Sequence, residues 1–166
     1  PGRDNRAASL RFLLNAQHPS EMVLSDFTAM TADEDLAVAS LAHRAVSWSL
    51  RGSAGDDVYG ALDALARRMP ATATTAEAVG IDPEPVPLDR GEVAATMIQV
   101  VGNRPLEPLL DFVSSMNPNT RAALANAASK RQRLDGDLRR AIVTMVGDRS
   151  TFVRQSAVQA MGKLTP

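Results

Sequence analysis

Apolar positions recur at helical spacing along most of the chain, most clearly between Asp135 and Pro166. There Leu138, Ile142, Met145 and Val146 trace one face of a helix, and Gly147-Asp148-Arg149-Ser150 interrupts it. Val153, Ala157, Ala160, Met161 and Leu164 then restart the pattern as a second helix. Ser150 or Thr151 serves as its N-cap, and Pro166 closes it. One such hairpin cannot bury its own apolar stripe, so it needs neighbours of the same kind.

The same reading runs through the rest of the sequence. A first helix is expected from about Asp4 to Gln17, with Ala7, Leu10, Leu13 and Leu14 buried and His18-Pro19-Ser20 ending it. Ser20 caps a second helix that buries Val23, Leu24 and Phe27. Thr31 or Asp33 caps a third over Leu36 to Arg51, with Val38, Leu41, Ala42, Ala45 and Trp48 on its inner face. Asp56 or Asp57 opens the next helix, which buries Val58, Leu62, Leu65 and Met69 before Pro70. Residues 70 to 88 form an irregular insertion, because Pro83, Pro85 and Pro87 force extended backbone. A helix resumes near Asp89 with Val93, Met97, Val100 and Val101 inward; a strand over Met97 to Val101 is the alternative, and the spacing favours the helix. Leu106 to Ser115 and Pro118 to Lys130 make a further hairpin.

An internal repeat emerges from these assignments. A shift of about 33 residues lays Leu109 on Ile142, Phe112 on Met145 and Val113 on Val146. The same shift lays Arg121 on Arg154, Leu124 on Ala157 and Ala127 on Ala160 without a gap. Leu24-Ser25-Asp26-Phe27 echoes Leu109-Leu110-Asp111-Phe112. Through Asp148, Val153-Arg154, Ala157, Ala160, Met161, Gly162 and Leu164, the last stretch resembles a HEAT repeat. The resemblance extends less closely to residues 105–130 and 20–51. It implies an all-α fold: a short right-handed α-solenoid of about four antiparallel helix pairs plus an N-terminal helix, spanning 1–166 as a single domain. It also implies a polar ladder between successive repeats, built from an Asp in the inter-helix turn and an Arg early in the second helix. Arg154 is the expected ladder arginine.

Composition agrees with helix packing. Aromatic residues make up only 4% of the chain, which suits closely packed helices better than a sheet. The net charge of −1 points to no global field for nucleic acid or membrane. The absence of Cys removes disulfides, thiol catalysis and thiolate metal sites. No apolar run reaches the roughly 18 residues that a membrane-spanning helix requires. The chain begins Pro1-Gly2, as a trimmed start would, so a leader or further repeats can lie upstream; a cytoplasmic location is slightly favoured. Lysine occurs only at 130 and 163, a bias that reads as the composition of a GC-rich bacterial genome.

Candidate chemistry is sparse. His18 and His43, the two histidines, lie in different elements without metal-binding companions; His43 reads as a helix-surface or partly buried residue and His18 as a helix-terminus residue. Asp56-Asp57 suits a helix start, and Asp82, Glu84, Asp89 and Glu92 suit a solvated acidic loop. No phosphate loop or nucleophile elbow is present, and no cofactor is expected. One charge asymmetry remains. From Lys130 onward eight basic residues (Lys130, Arg131, Arg133, Arg139, Arg140, Arg149, Arg154, Lys163) face three acids (Asp135, Asp137, Asp148). Lys130, Arg131, Arg133, Arg139 and Arg140 can gather at one inter-repeat turn as a partner-binding patch. The expected function is a non-enzymatic scaffold or adaptor that holds a protein on its helical groove. One alternative is a nucleic-acid-binding repeat protein using the 130–140 patch, as in helical-repeat DNA glycosylases. Another is an accessory or maturation factor of the HEAT-like lyase type.

Overall fold

The computed structural model describes residues 24–50, 55–71, 88–134 and 136–162. These residues form eight α-helices and no strand. They are α1 (Leu24–Met30), α2 (Leu36–Ser49), α3 (Asp56–Arg68), α4 (Arg90–Val100), α5 (Glu107–Leu110), α6 (Pro118–Ser129), α7 (Gly136–Met145) and α8 (Thr151–Met161). The expected helix over 4–17, His18 and the proline-rich stretch of the 70–88 insertion lie outside the described residues, apart from the insertion's two ends.

The helix ends follow from local chemistry. Asp35 caps α2 by accepting from the Ala37 amide at 3.0 Å, Asp89 caps α4 through the Glu92 amide at 2.8 Å, and Asn117 caps α6 through the Thr120 amide at 2.9 Å. Pro118 occupies the first turn of α6, where its missing N–H has no partner to lose. Asp56 and Asp57 open α3 while Arg67 and Arg68 close it, so both ends complement the helix dipole. Gly102, at φ +51, lets the chain turn sharply after α4.

Consecutive helices pack together in α1–α2, α3–α4 and α7–α8, and alternate helices pack as well. α1 lies against α3, α5 against α7, α4 against α6, and α6 against α8, the last being the most extensive contact. The buried side chains join in one continuous core from Phe27 to Ala160, dominated by Leu, Val, Ala and Met. Alanines at Ala39, Ala42, Ala45, Ala94, Ala125, Ala128, Ala157 and Ala160 are fully buried. Their small side chains allow neighbouring backbones to approach.

Several details depart from the periodic reading. Thr31 and Asp33 do not cap α2. Thr31 is buried and donates to the Thr28 carbonyl at 2.7 Å, while Asp33 accepts from the Asp35 amide at 2.9 Å and shapes the turn. Trp48 shares the angular face of Leu41 but stands in the last turn of α2, where cover runs out, and is 63% exposed. Val146 follows the last residue of α7 and is also exposed. The helix expected over Leu106–Ser115 breaks after Leu110 and tightens into a 3₁₀ turn at Val113–Ser115. Its backbone bonds there span three residues, as in Ser115 N–H to Phe112 O at 2.9 Å. The tighter winding still carries Phe112 into the core and brings the Ser115 carbonyl against Gly91 of α4. The register of the first unit also shifts. Counted from the capping residues Asp35 and Asn117, Phe27 corresponds to Leu109, three residues from the alignment that the Leu-Xaa-Asp-Phe echo suggests. A short sequence match yields here to the position of the turn.

The proline-rich excursion leaves and rejoins the fold at one place. The Arg90 amide donates to the Pro70 carbonyl at 3.0 Å. The Arg90 side chain donates to Ala66 O at 3.1 Å and Met69 O at 3.0 Å, satisfying the C-terminal carbonyls of α3.

Candidate functional site

The most developed polar junction sits where α6 begins and α7 turns into α8. Arg121 and Asp148 form a bidentate ion pair, Nε to Oδ2 at 2.8 Å and Nη2 to Oδ1 at 3.1 Å. The Arg121 Nη1 also donates to the Met116 carbonyl at 2.5 Å. Asp148 Oδ1 accepts a further bond from the Ser150 amide at 2.8 Å, which folds the turn ahead of α8. Both side chains are largely buried. The Arg121 guanidinium, then the Ser150 amide, hold the Asp148 carboxyl below the usual carboxylate range.

This pair ties the first turn of α6 to the α7–α8 turn, with Arg121 as the bridging arginine. Arg154, the residue expected in that role, instead binds its own turn. Its Nη1 donates to the Asp148 and Arg149 carbonyls at 2.9 and 3.0 Å, and its Nη2 donates to Thr151 Oγ1 at 3.0 Å. Beside the Arg121–Asp148 pair lies an open groove of about 480 Å³, walled by Leu110, Val113, Ala141, Thr144 and Met145 together with Gly147 and Arg149. Its apolar wall comes from α5, the 3₁₀ turn and α7; Arg121 and Asp148 neutralise each other, and Arg149 adds a further positive charge at its edge.

The five basic residues singled out in the sequence divide by environment. Lys130, Arg131 and Arg133 lie in the α6–α7 connection, and Arg139 and Arg140 on the outward side of α7. Arg131 is half-buried and donates to the Arg104 carbonyl at 2.5 Å. Arg140 pairs with Asp137. Lys130, Arg133 and Arg139 are exposed. The cluster is therefore part structural and part solvent-facing.

Periodicity missed the structural use of arginine. Arg68 of α3 reaches the α1–α2 turn, donating to the Thr31 and Asp33 carbonyls at 3.3 and 2.5 Å. Arg67 pairs with Asp63 and Asp111 and lies over the Phe112 ring, 5.5 Å from its centroid. Arg104 pairs with Asp56 at 2.6 Å, donates to Val100 O at 2.7 Å and lies 5.6 Å from the Tyr59 ring centroid. Arg68, Arg90, Arg104, Arg121, Arg131 and Arg154 all donate to backbone carbonyls at helix ends or turns. A planar fork with five donors does this where a lysine ammonium cannot bridge two acceptors so rigidly. The signal available in the sequence was the position of these arginines beside predicted helix ends.

His43, expected to be a surface or partly buried residue, is only 5% exposed. Its Nε2 is 3.0 Å from Thr96 Oγ1 on α4, and its buried Nδ1 has no partner among the described residues. Burial, followed by the nearby Arg44 charge, lowers its pKa to about 4, so the ring is neutral at pH 7.

Among the described residues no group of three or more metal-ligating side chains converges, and no helix is long and apolar enough to cross a membrane. The chain matches no protein family, no curated protein and no solved structure.

Proposed function

We propose that this chain is a non-enzymatic protein-interaction module, a HEAT-like right-handed α-solenoid of antiparallel helix pairs that holds a protein partner along the groove of its second helices. The supporting contacts fall into two rows. In one, Arg68 joins α3 to the α1–α2 turn, Arg67 joins α3 to Asp111, and α5 lies on α7. In the other, His43 of α2 meets Thr96 of α4, α4 lies on α6, and α6 lies on α8. The observation that carries the reading is the Arg121–Asp148 pair. It bridges two units at the position where a one-unit shift lays Arg121 on Arg154.

A stack of this kind leaves a long row of helix faces open, and such surfaces hold other macromolecules. The exposed basic positions, Lys130 and Arg139, suit a partner with acidic side chains at that edge. A nucleic-acid reading has less to stand on, because Arg131 and Arg140 are already engaged within the protein. The test is affinity capture with the full chain, followed by reconstitution from purified components. A single protein partner released by Lys130→Glu/Arg139→Glu is the expected result. Salt-sensitive retention of duplex DNA with no protein partner overturns the proposal.

A further inference from the structure

Two open grooves among the described residues have walls built on one spacing. In the groove beside the Arg121–Asp148 pair, Ala141, Thr144, Met145 and Asp148 line one side. A second groove, of about 540 Å³, lies between the α1–α2 turn and α3, where Ala61, Ala64, Leu65 and Arg68 line one side. Both sets fall at i, i+3, i+4 and i+7, a single helix face. Each places a small residue first and a larger apolar side chain third. The apolar character of the two grooves is therefore shared.

Their charge is not. In the α3 groove Arg68 is held by the Thr31 and Asp33 carbonyls, and the exposed Glu34 adds a negative charge. In the α7 groove Arg121 is tied to Asp148 and to the Met116 carbonyl. Thr144 Oγ1 donates to the Arg140 carbonyl at 3.0 Å. Arg149 lines the same groove and is exposed, and its guanidinium has no partner among the described residues. The lining thus holds one uncompensated positive charge beside an apolar wall.

We infer that the groove between α5 and α7 is a binding site for a small amphipathic carboxylate. The carboxylate pairs with the Arg149 guanidinium, and the apolar tail lies along Leu110, Val113, Ala141 and Met145. Charge selects the head group. Two carboxylate oxygens match the planar guanidinium fork, and a monoanion balances one cation without adding charge next to Asp148. A cationic head group would be repelled by Arg149. No aromatic residue lines the groove, so a nucleobase has no face to stack on. The groove's volume of about 480 Å³ falls in the range of about 300–1,000 Å³ that small-molecule sites occupy. This inference is independent of the proposed protein partner, which is placed on the second helices and at Lys130 and Arg139.

The probe is octanoate, titrated into the full chain carrying ¹³C-labelled Met, Leu and Val methyl groups, with n-octanol as the uncharged match for its tail. Octanoate is expected to shift the Met145 and Val113 signals saturably and to leave Leu65 of the α3 groove unmoved. n-Octanol should bind about tenfold more weakly. Arg149→Gln, a change at an exposed side chain, should weaken octanoate about tenfold and leave n-octanol unchanged. Equal affinity for octanoate and n-octanol overturns the inference, as does octanoate binding indifferent to Arg149→Gln. Shifts at Leu65 that match those at Met145 also overturn it, because the uptake then follows apolar surface alone. Absence of any octanoate shift at Met145 overturns it too, including the case in which a segment of this same chain fills the groove.

Discussion

Acidification should destabilise this protein through His43 before its carboxylates titrate. The ring is buried between α2 and α4, and Thr96 Oγ1, which donates weakly to the Glu92 carbonyl at 3.5 Å, accepts from His43 Nε2–H. That assignment leaves Nδ1 as the unprotonated nitrogen, buried and without a partner among the described residues. Protonation would create a cation and an unsatisfied N–H together, with the Arg44 charge nearby. The folded pKa of about 4 lies below the ordinary value of 6.5, so the unfolded chain binds the proton more readily. Stability from the neutral ring is complete above the unfolded pKa and is lost as pH falls from about 6.5 toward 4. A gap of that size corresponds to a loss of about 2 kcal/mol by about pH 5. Urea unfolding across this pH range measures it, with His43→Leu as the control. The wild-type midpoint should fall while that of His43→Leu stays nearly flat, and the His43 ring should titrate near pH 4 by NMR. Equal pH slopes in the two proteins, or an NMR pKa at or above 6.5, refute the reasoning.

Three further outcomes follow from the packing. Arg121→Gln should lower stability by about 2 kcal/mol by leaving the largely buried Asp148 carboxylate without its cation, as denaturant titration would show. The Asp148 pKa, which NMR can follow, should then rise toward its ordinary value of 3.8, and the stabilisation it supplies is the part lost in acid below that value. Gly91→Ala sets helix propensity against packing. Propensity favours alanine by about 1 kcal/mol, but a Cβ there would sit 2.2 Å from the Ser115 carbonyl oxygen, so the variant should melt lower than wild type. Lys130→Glu/Arg139→Glu should leave the melting temperature nearly unchanged, whereas Arg131→Glu should lower it, because only Arg131 ties the α6–α7 connection to Arg104 O.

Much of the helical content is legible in the apolar spacing alone. Leu138, Ile142 and Met145 on α7, Val153, Ala157 and Ala160 on α8, and Val58, Leu62 and Leu65 on α3 occupy the buried positions that their spacing assigns. Periodicity succeeds there because a helix buries whichever face is apolar, and that face is a local property of the chain. It fails at Trp48 and Val146, at or beyond helix ends, where burial depends on the reach of the neighbouring helix. It fails again over Leu106–Ser115, where close approach to α4 accompanies a tighter turn than the apolar pattern implies.

The candidate site is legible in part. A shift of about 33 residues lays Arg121 on Arg154, and Asp148 falls in the turn between two apolar stripes, so all three residues stand out in the sequence. The sequence cannot show that Arg121 reaches Asp148 while Arg154 folds back on its own turn, because that depends on which unit lies next in space. Nor can it distinguish Lys130 and Arg139, open to solvent, from Arg131, bound to a carbonyl 27 residues earlier in the chain. By itself the sequence marked most of the described helices and most of their inward faces, which follow from spacing along one helix. Only tertiary structure decided which charges are spent inside the fold and which remain available, since a guanidinium's role is set by the acceptors that distant segments bring within about 3 Å of it.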